Sequence, residues 1–445
     1  MTSALARKVS GHRGRAPAWG LAAAVVLLVL AVVVPPATGW VVHARSFPPL
    51  HAQWLPRVGP GTLPAVAAAV VGVLWAGQAA RRLPWPVLLA VTWLAGMTWM
   101  LSLALVDGLD GVGRILDTRP EYLQTARATT DVSATLHEYV SRIPFSHPHN
   151  WPVHVAGHPP GALLFFVLLV RLGLGSGLGA GLVVTALAAT TPLAVLVTLR
   201  ALSQEREARL ALPFLVLGPA AIWQSVSADA MFAAVAAWGT ATLALGAVRR
   251  SAGWSLLAGV LLGYCVMLSY GLPLLAVLAL AVLAAARSWF PLPFAAAAAL
   301  GVVLAFAATG FAWWEALPVL RERYWAGVAS DRPTAYWLWG DLAALLFSAG
   351  PLLGASLAAS GRELARALMR PARHRVGALV AAAVAMVLLA DASLMSKAEV
   401  ERIWLPFVPW LLLSCAFLPA RWARAGLVLQ VGFALVVQHL LWSDW

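Results

Sequence analysis

The sequence has little charge and almost no cysteine. Only 11% of its 445 residues are charged, whereas soluble chains average about 25%, and 61% are hydrophobic. The two cysteines, Cys265 and Cys415, both lie in apolar runs, so they give no disulfide or Cys-ligated metal pattern. So little charge argues against a soluble fold and predicts that lipid surrounds most of the chain.

Several common nucleotide-binding and hydrolase motifs are also missing. The sequence has no P-loop, no Gly-x-Gly-x-x-Gly after a predicted strand and no Gly-x-Ser-x-Gly elbow. The net charge of +13 is scattered between apolar runs, which does not suit nucleic acid. We therefore predict a membrane-lipid environment and no nucleic-acid partner.

Long apolar runs are abundant, and about 20 apolar residues suffice to span a bilayer. They predict an all-α polytopic membrane protein with about 13 transmembrane helices. The predicted spans begin near Ala18, Thr62, Pro86, Leu178, Leu210, Ala230, Gly253, Gly271, Pro293, Leu338, Val376, Ile403 and Ala425. The basic residues Arg7, Lys8, Arg13 and Arg15 before the first run would also suit a cleaved signal peptide, but the length of the run favours an uncleaved helix.

The charges predict an orientation. Basic residues collect in alternate turns, which the positive-inside rule assigns to the cytoplasm together with the N-terminus. These turns are Arg81–Arg82, Arg200–Arg209, Arg249–Arg250, Arg287, Arg362–Arg375 and Arg421–Arg424. Most acids fall on the other side, although acids contribute little to orientation. We therefore expect a multi-pass plasma-membrane protein with its working site on the external face.

The longest polar segment is the external loop 107–177. Residues 120–142 alternate at helical spacing, which predicts an amphipathic helix on the membrane surface. The apolar stretch Pro159 to Leu172 is too short for a span. Counting it as one would turn Arg200–Arg209 outward, so an in-plane helix is favoured. The loop thus contains two predicted surface helices joined by a His- and Pro-rich turn.

The loop carries candidate catalytic acids. Asp107 and Asp110 directly follow the third predicted span. A carboxylate at the lipid boundary is partly desolvated and suits a general base that takes a proton from a sugar hydroxyl. A helix cap or a turn is the simpler interpretation of both. Glu121 and Tyr122 follow as candidate substrate-binding residues.

Five histidines also fall in this loop: His137, His147, His149, His154 and His158. Their spacing suits a divalent metal, but no Cys or His-Glu-x-x-His accompanies them and prolines interrupt helical geometry. A divalent metal is therefore possible and not favoured. His154 and His158 are candidates for hydrogen bonds to substrate, and plain loop structure is the alternative.

Further charged residues are predicted at the same face. Asp229 follows the fifth span, where it could bind substrate or cap the next helix. Arg321 and Arg323 lie in one external loop, and Lys397, Glu401 and Arg402 lie in another. External cations would suit an anionic group at the outer leaflet. Lipid headgroups, or ion pairs with Glu399 and Glu401, would also explain them.

These features resemble the GT-C superfamily of membrane glycosyltransferases, in particular the branch of protein O-mannosyltransferases and aminoarabinose transferases. The motifs that resemble actinobacterial members are the Asp107-Gly start, His158-Pro-Pro-Gly161, the small-x-Asp229 element and Glu401-Arg402-Ile-Trp404-x-Pro406. The resemblance begins near Pro86. It implies an N-terminal pair of helices in residues 1–85 and a GT-C-like catalytic domain in residues 86–445.

The resemblance also implies a reaction. The donor would be a polyprenyl-phosphate-linked sugar, a hexose or pentose, and the acceptor a hydroxyl of a glycan, lipid or protein. Transfer would invert the sugar. Asp107, or else Asp110, would be the base, although the Asp-Glu pair of the O-mannosyltransferases is here Asp107-Gly. Asp229 matches the second acidic position, while Lys397 and Arg402 match cations that hold the lipid phosphate.

Two other functions compete with transfer. A transporter or flippase of lipid-linked saccharides would show internal repeats or charged, broken helices at midplane, which the sequence does not show clearly. A non-catalytic scaffold would not need acids, histidines and cations on one side. Glycosyl transfer is therefore the favoured function, with the transporter as its alternative.

Overall fold

The computed structural model describes residues 15–443, and most of them are helical. The predicted basic residues Arg7, Lys8 and Arg13 lie outside the described residues. Leucine, alanine and valine dominate the helices, whose apolar surfaces face one another or the hydrocarbon. The chain is thus an all-α membrane protein, as its composition predicts.

The helices fall into two length classes. Those of at least ten residues are Ala16–Thr38, Thr62–Val71, Trp85–Ala104, Pro160–Arg171, Gly177–Ala188, Thr191–Ala201, Glu205–Val216, Ala228–Arg249, Ala252–Leu268, Leu275–Ala286, Pro291–Ala308, Trp313–Trp325, Thr334–Ala349, Leu352–Met369, Arg375–Ala392 and Ala420–Leu440. The shorter ones are Gly77–Arg82, Asp110–Gly113, Tyr122–Ala128, Val132–Glu138, Val153–Gly157, Ala221–Gln224, Val400–Ile403 and Val408–Leu412. A π-helical turn, Gly72–Ala76, continues the helix from Thr62, and short 3₁₀ turns are Leu105–Asp107, Ile115–Asp117, Leu272–Leu274 and Leu413–Phe417.

Eight helical segments in the described part of the chain are long and apolar enough to cross a membrane. They match eight of the predicted spans. The span predicted near Leu338 is a pair of helices bent by 100° at residues 350–351. The spans predicted near Leu210, Gly253, Gly271 and Ile403 correspond to shorter or broken helices. Hydropathy alone therefore locates the apolar runs, but it does not show where a run bends.

The first helix packs into the rest of the bundle. Ala16–Thr38 runs beside Leu352–Met369, and a Cβ added to Gly20 would lie 2.2 Å from the carbonyl oxygen of Gly354. Only glycine allows so close an approach of two backbones. The division into residues 1–85 and 86–445 stays a prediction.

A two-stranded sheet joins distant parts of the chain. Strand β1 (Ala52–Trp54) pairs antiparallel with β2 (Leu441–Ser443), with Gln53 opposite Trp442. Arg57 extends this connection, because its Nη1 donates to the carbonyl oxygen of Leu441 (2.7 Å). The sheet is too small to change the fold class, but it fixes β1 beside the C-terminal helix.

The predicted basic turns meet at one end of the bundle, which we call the basic end. Arg209 donates to the carbonyl oxygens of Ala80 (2.7 Å) and Leu83 (3.1 Å). Arg375 donates to the carbonyl oxygen of Leu202 (2.5 Å). Asp229 and Arg249 lie at opposite ends of one 22-residue helix, which is about 33 Å long. Asp229 therefore lies at the other end, which we call the acidic end.

The prediction of one continuous surface helix over residues 120–142 is wrong. The structure has two helices there, Tyr122–Ala128 and Val132–Glu138. Asp131 starts the second one, because its carboxylate accepts a hydrogen bond from the backbone N–H of Ala134 (3.0 Å). The periodic apolar residues Tyr122, Leu123, Ala126 and Leu136 are buried within the protein, so this apolar face packs against the bundle rather than against the membrane surface as predicted.

The second predicted loop helix is present as Pro160–Arg171. Its N-terminus is fixed by a close backbone approach, since a Cβ on Gly161 would lie 2.5 Å from the carbonyl oxygen of Met267. The hydroxyl of Tyr264 donates to the carbonyl oxygen of Gly161 (2.9 Å). This helix holds the histidine-bearing turn against the bundle.

Candidate functional site

Arg402 is the centre of a buried ionic cluster at the acidic end. Its Nη1 donates to Asp229 Oδ2 (2.6 Å) and its Nη2 to Glu399 Oε2 (2.8 Å), while Nη2 also lies 3.0 Å from His154 Nε2. Its side chain is 5% exposed and that of Asp229 is 4% exposed. The chain thus brings together three of the residues that the sequence predicts, over separations of up to 248 positions.

Glu121 extends the cluster through His154. His154 Nδ1 lies 2.8 Å from Glu121 Oε1, and both side chains are less than 10% exposed. Because a guanidinium only donates, Nε2 is placed to accept from Arg402 and Nδ1 to donate to Glu121. Glu121 Oε2 is buried and has no hydrogen-bond partner among the described residues. One buried carboxylate oxygen of the cluster is therefore left without a hydrogen-bond partner.

Asp229 does not cap its helix. Ser227 is the N-cap of Ala228–Arg249, and its hydroxyl accepts from the backbone N–H of Ala230 (3.2 Å). Asp229 lies in the first turn, where a carboxylate is favoured by the helix dipole. Because serine takes the capping position, the Asp229 side chain is available to Arg402.

A strained backbone segment carries Glu399. Leu394, Ala398 and Glu399 all have positive φ, and Glu399 precedes the short helix Val400–Ile403. Such conformations cost about 1–3 kcal/mol each for non-glycine residues and occur where contacts hold them. One such contact is the hydrogen bond from the backbone N–H of Ala398 to Asp341 Oδ1 (2.9 Å).

A second arginine lies behind Glu399. Arg332 Nη2 is 3.8 Å from Glu399 Oε1 and 2.6 Å from His51 Nε2, and its Nη1 donates to the carbonyl oxygen of Lys397 (2.5 Å). Its side chain is 6% exposed. One carboxylate therefore lies between two buried guanidinium groups, Arg332 and Arg402.

Lys397 serves the backbone of this region. Its Nζ donates to the carbonyl oxygens of Ala329 (3.2 Å) and Arg332 (3.0 Å) and lies 4.7 Å from the centre of the Trp325 ring. Burial lowers the pKa of Lys397. Its contacts fix the segment before Glu399 rather than point an ammonium group at a ligand.

The local electrostatics follow the cluster. Burial raises the pKa of Glu399, but Arg402 and further cations outweigh it, and the net pKa is lowered to about 2. Burial lowers the pKa of Arg402, while Asp229 and Glu399 raise it, with a net increase. Burial also lowers the pKa of His158. The acids and the arginine therefore stabilise one another as ions.

Tyr122 and His158 hold His154 in place beside the cluster. Tyr122 stacks on Phe166 with ring centres 5.1 Å apart, and its hydroxyl donates to the carbonyl oxygen of His154 (3.4 Å). Burial raises the pKa of Tyr122. His158 Nδ1 lies 2.8 Å from the carbonyl oxygen of His154. Both predicted residues thus position His154.

Asp107 makes a different set of contacts. Arg57 pairs with both of its carboxylate oxygens, and Gln438 Nε2 donates to Oδ2 (3.2 Å). Its side chain is 26% exposed. Asp110 is exposed at the start of the helix Asp110–Gly113. None of these contacts joins either aspartate to Arg402, so their assignment as base stays a prediction.

The remaining predicted residues are divided. Arg321 is exposed. Arg323 is buried and donates to the carbonyl oxygens of Ile143 and Trp151, and so ties its helix to the loop. Glu401 is 1% exposed beside Arg402 in the chain. Their assignment to substrate binding also stays a prediction.

Three contributors were not among the predicted site residues. Glu399 and Arg332 bear charges on predicted external loops, and the i, i+3 spacing of Glu399 and Arg402 is the signal for their pairing. His51 carries no comparable signal, because it approaches Arg332 across 281 positions.

Between residues 15 and 443, no group of three or more His, Cys, Asp or Glu side chains is arranged to hold a metal ion. His147 and His149 instead contact each other, since His149 N–H donates to His147 Nδ1 (3.1 Å). Transfer without a divalent metal stays a prediction.

The chain shows limited similarity to known proteins. No family model and no curated protein matches the chain. Among solved structures it is similar to the Archaeoglobus fulgidus oligosaccharyltransferase, crystallised with zinc and sulfate, at 15% identity and a TM-score of 0.46. The match covers 78% of this chain and 51% of that one, so this chain spans about half the length of the archaeal protein. Similarity at this level does not establish a shared activity.

Proposed function

We propose that the chain is a membrane glycosyltransferase. It would transfer a hexose or pentose, with inversion, from a polyprenyl-phosphate donor to a hydroxyl of a glycan, lipid or protein. Its site would be the acidic end, on the external face of the plasma membrane. The observation that carries the proposal is the buried convergence of Arg402 and Arg332 with the acids Glu121, Asp229 and Glu399.

The two arginines provide a place for the donor phosphate. Arg402 donates to Glu399 (2.8 Å) and Arg332 lies 3.8 Å from it, and the Glu399 carboxylate carries negative charge and two acceptor oxygens, as a phosphate does. Guanidinium groups suit such anions because they donate two parallel hydrogen bonds. We propose that the donor phosphate takes the place of the Glu399 carboxylate, which is 22% exposed.

We propose a reaction that uses donor, acceptor and protein groups, with a divalent metal as the alternative that is not favoured. The acceptor oxygen attacks C1 of the sugar as the bond from C1 to the phosphate oxygen breaks. The electron pair of that bond leaves on the phosphate, where Arg402 and Arg332 stabilise the developing charge. The hydroxyl proton passes to a carboxylate.

The proposed base is one of three acids. The sequence and the resemblance indicate Asp107 and Asp110 as candidate bases. Asp107 would have to give up a bidentate pair with Arg57 to take a proton. Glu121 has a buried oxygen without a hydrogen-bond partner within the cluster, so we favour Glu121.

The test is sugar transfer by purified protein in proteoliposomes, from a panel of polyprenyl-phosphate hexoses and pentoses. The variants are Asp107→Asn, Asp110→Asn, Glu121→Gln and Asp229→Asn. The exposed acid of the same loop, Glu138→Gln, is the matched control. We expect Glu121→Gln to lower the rate by about 100-fold or more, as loss of a general base does, and the control to retain it.

Other results would redirect the assignment. A loss confined to Asp107→Asn or Asp110→Asn would make that residue the base. Unchanged transfer by all four variants would refute the cluster as the site. Movement of donor across the membrane without any transfer would favour a flippase of lipid-linked saccharides.

A further inference from the structure

A cavity of about 600 Å³ lies at the basic end, remote from the ionic cluster. The turns after three helices and the start of a fourth line it. Its charged lining consists of Arg250, Arg287 and Arg375, and no acid is among its described lining residues. Three guanidinium groups without an acid in one cavity favour an anionic occupant.

A neighbouring cleft of about 470 Å³ shares Arg287 and adds Arg370 and Arg373. The acid closest in sequence is Glu363, and it pairs with His374 instead (2.8 Å). Five arginines therefore face two adjoining volumes, and their repulsion would be relieved by a bound anion.

Helix ends account for only part of this arrangement. Arg250 and Arg287 follow the last residues of Ala228–Arg249 and Leu275–Ala286, with φ of 50° and 55°, where glycine is the usual residue. The helix dipole stabilises a cation at a helix C-terminus. Arg375 is instead the first residue of Arg375–Ala392, where a cation opposes the dipole. A dipole role thus explains two arginines, whereas Arg375 donates to the carbonyl oxygens of Ala372 (3.1 Å) and Leu202 (2.5 Å).

The rim of the cavity is apolar. Trp289 is 53% exposed and Val248 is 51% exposed, and both line the cavity. The adjoining helix Pro291–Ala308 is 6% buried, so it presents its surface to lipid. We propose that this cavity binds a phosphate group, held by the arginines, whether that group is carried by an anionic membrane lipid or is free. Basic pockets between membrane helices bind such headgroups.

The experiment compares wild type with the double variant Arg250→Asn, Arg287→Asn. Asparagine tolerates positive φ, so the helix ends should be kept. The matched control is Arg206→Gln with Arg366→Gln, two exposed arginines outside the cavity. Native mass spectrometry measures retention of cardiolipin and phosphatidylglycerol, and thermal unfolding measures stabilisation by inorganic phosphate against chloride at equal ionic strength.

We expect wild type and control to retain anionic lipid about tenfold more strongly than the double variant, since charge-assisted hydrogen bonds are lost. Stabilisation of wild type, and not of the double variant, by inorganic phosphate alone would support a free phosphate. Equal lipid retention and equal phosphate response in all three proteins would overturn the proposal. If the double variant does not fold, Arg287→Asn alone must show a partial loss, and unchanged binding by it has the same consequence. Sugar transfer is not a readout, so this outcome is separate from that of the proposed function.

Discussion

At the residue scale, Arg402 holds a buried ion-pair cluster together and has a proposed role in sugar transfer. It is buried among Asp229, Glu399 and His154. We predict that Arg402→Gln lowers transfer by about 100-fold or more, as removal of a donor to a developing anion does. Breaking a buried ion pair also costs about 3–5 kcal/mol. Initial rates and thermal unfolding measure the two effects.

Two further variants separate those effects. Arg402→Lys keeps the charge but not the forked geometry, so it should restore stability more than rate. Arg171→Gln, at an exposed position, should change neither. Equal rates for wild type and Arg402→Gln would contradict a role for this residue in transfer.

Glu399 gives a prediction about pH. Its pKa is lowered from 4.5 to about 2, so its stabilising contribution is present above pH 4.5 and is lost as pH falls toward 2. We expect the difference in melting temperature between wild type and Glu399→Gln to be largest above pH 4.5 and to shrink below it. A difference that is constant from pH 7 to the acid limit of the protein would contradict the assigned ion pairs.

The sequence predicts some site residues and misses others for a physical reason. Asp229, His154 and Arg402 are charged or polar residues beside apolar runs, where ionisable groups are costly and tend to be functional. The partners of Asp107 could not be predicted in this way. Arg57 and Gln438 are 50 and 331 positions away from it, and no local pattern connects them.

At the scale of elements, Gly161 fixes the helix that supports the histidine turn. We predict that Gly161→Ala destabilises the protein by about 1–3 kcal/mol, because its methyl group would meet the carbonyl oxygen of Met267. Gly157→Ala is the matched control, since a Cβ there has nothing within 4 Å. Equal melting temperatures of the two variants would refute the close packing.

Apolar runs predict where helices lie better than where they break. The run near Leu338 continues through a 100° bend, since Gly350 adopts a φ of 82° that hydropathy does not register. The break at Asp131 follows from capping, which competes with amphipathic periodicity over a short distance. Both errors come from single residues that override a pattern of many.

At the scale of the whole molecule, the proposed orientation of the acidic end and the basic end can be tested by cysteine labelling. We expect His149→Cys to react with a membrane-impermeant maleimide in intact cells, and Arg206→Cys to react only after permeabilisation. Both positions are exposed, whereas the native Cys265 and Cys415 are buried. The reverse pattern would invert the proposed orientation.

The pairing of β1 with β2 also has a consequence for biosynthesis. Ala52–Trp54 emerges from the ribosome early, whereas Leu441–Ser443 is made after nearly every span. The two strands are far apart in the sequence, so the conformational entropy of the chain between them is lost only late, when they pair. While translation proceeds, Arg57 and Asp107 therefore lack the partners that Leu441 and Gln438 later supply. A nascent chain stalled before residue 438 should leave its early segments open to proteases and chaperones, and they should close only after residues 438–443 have been made.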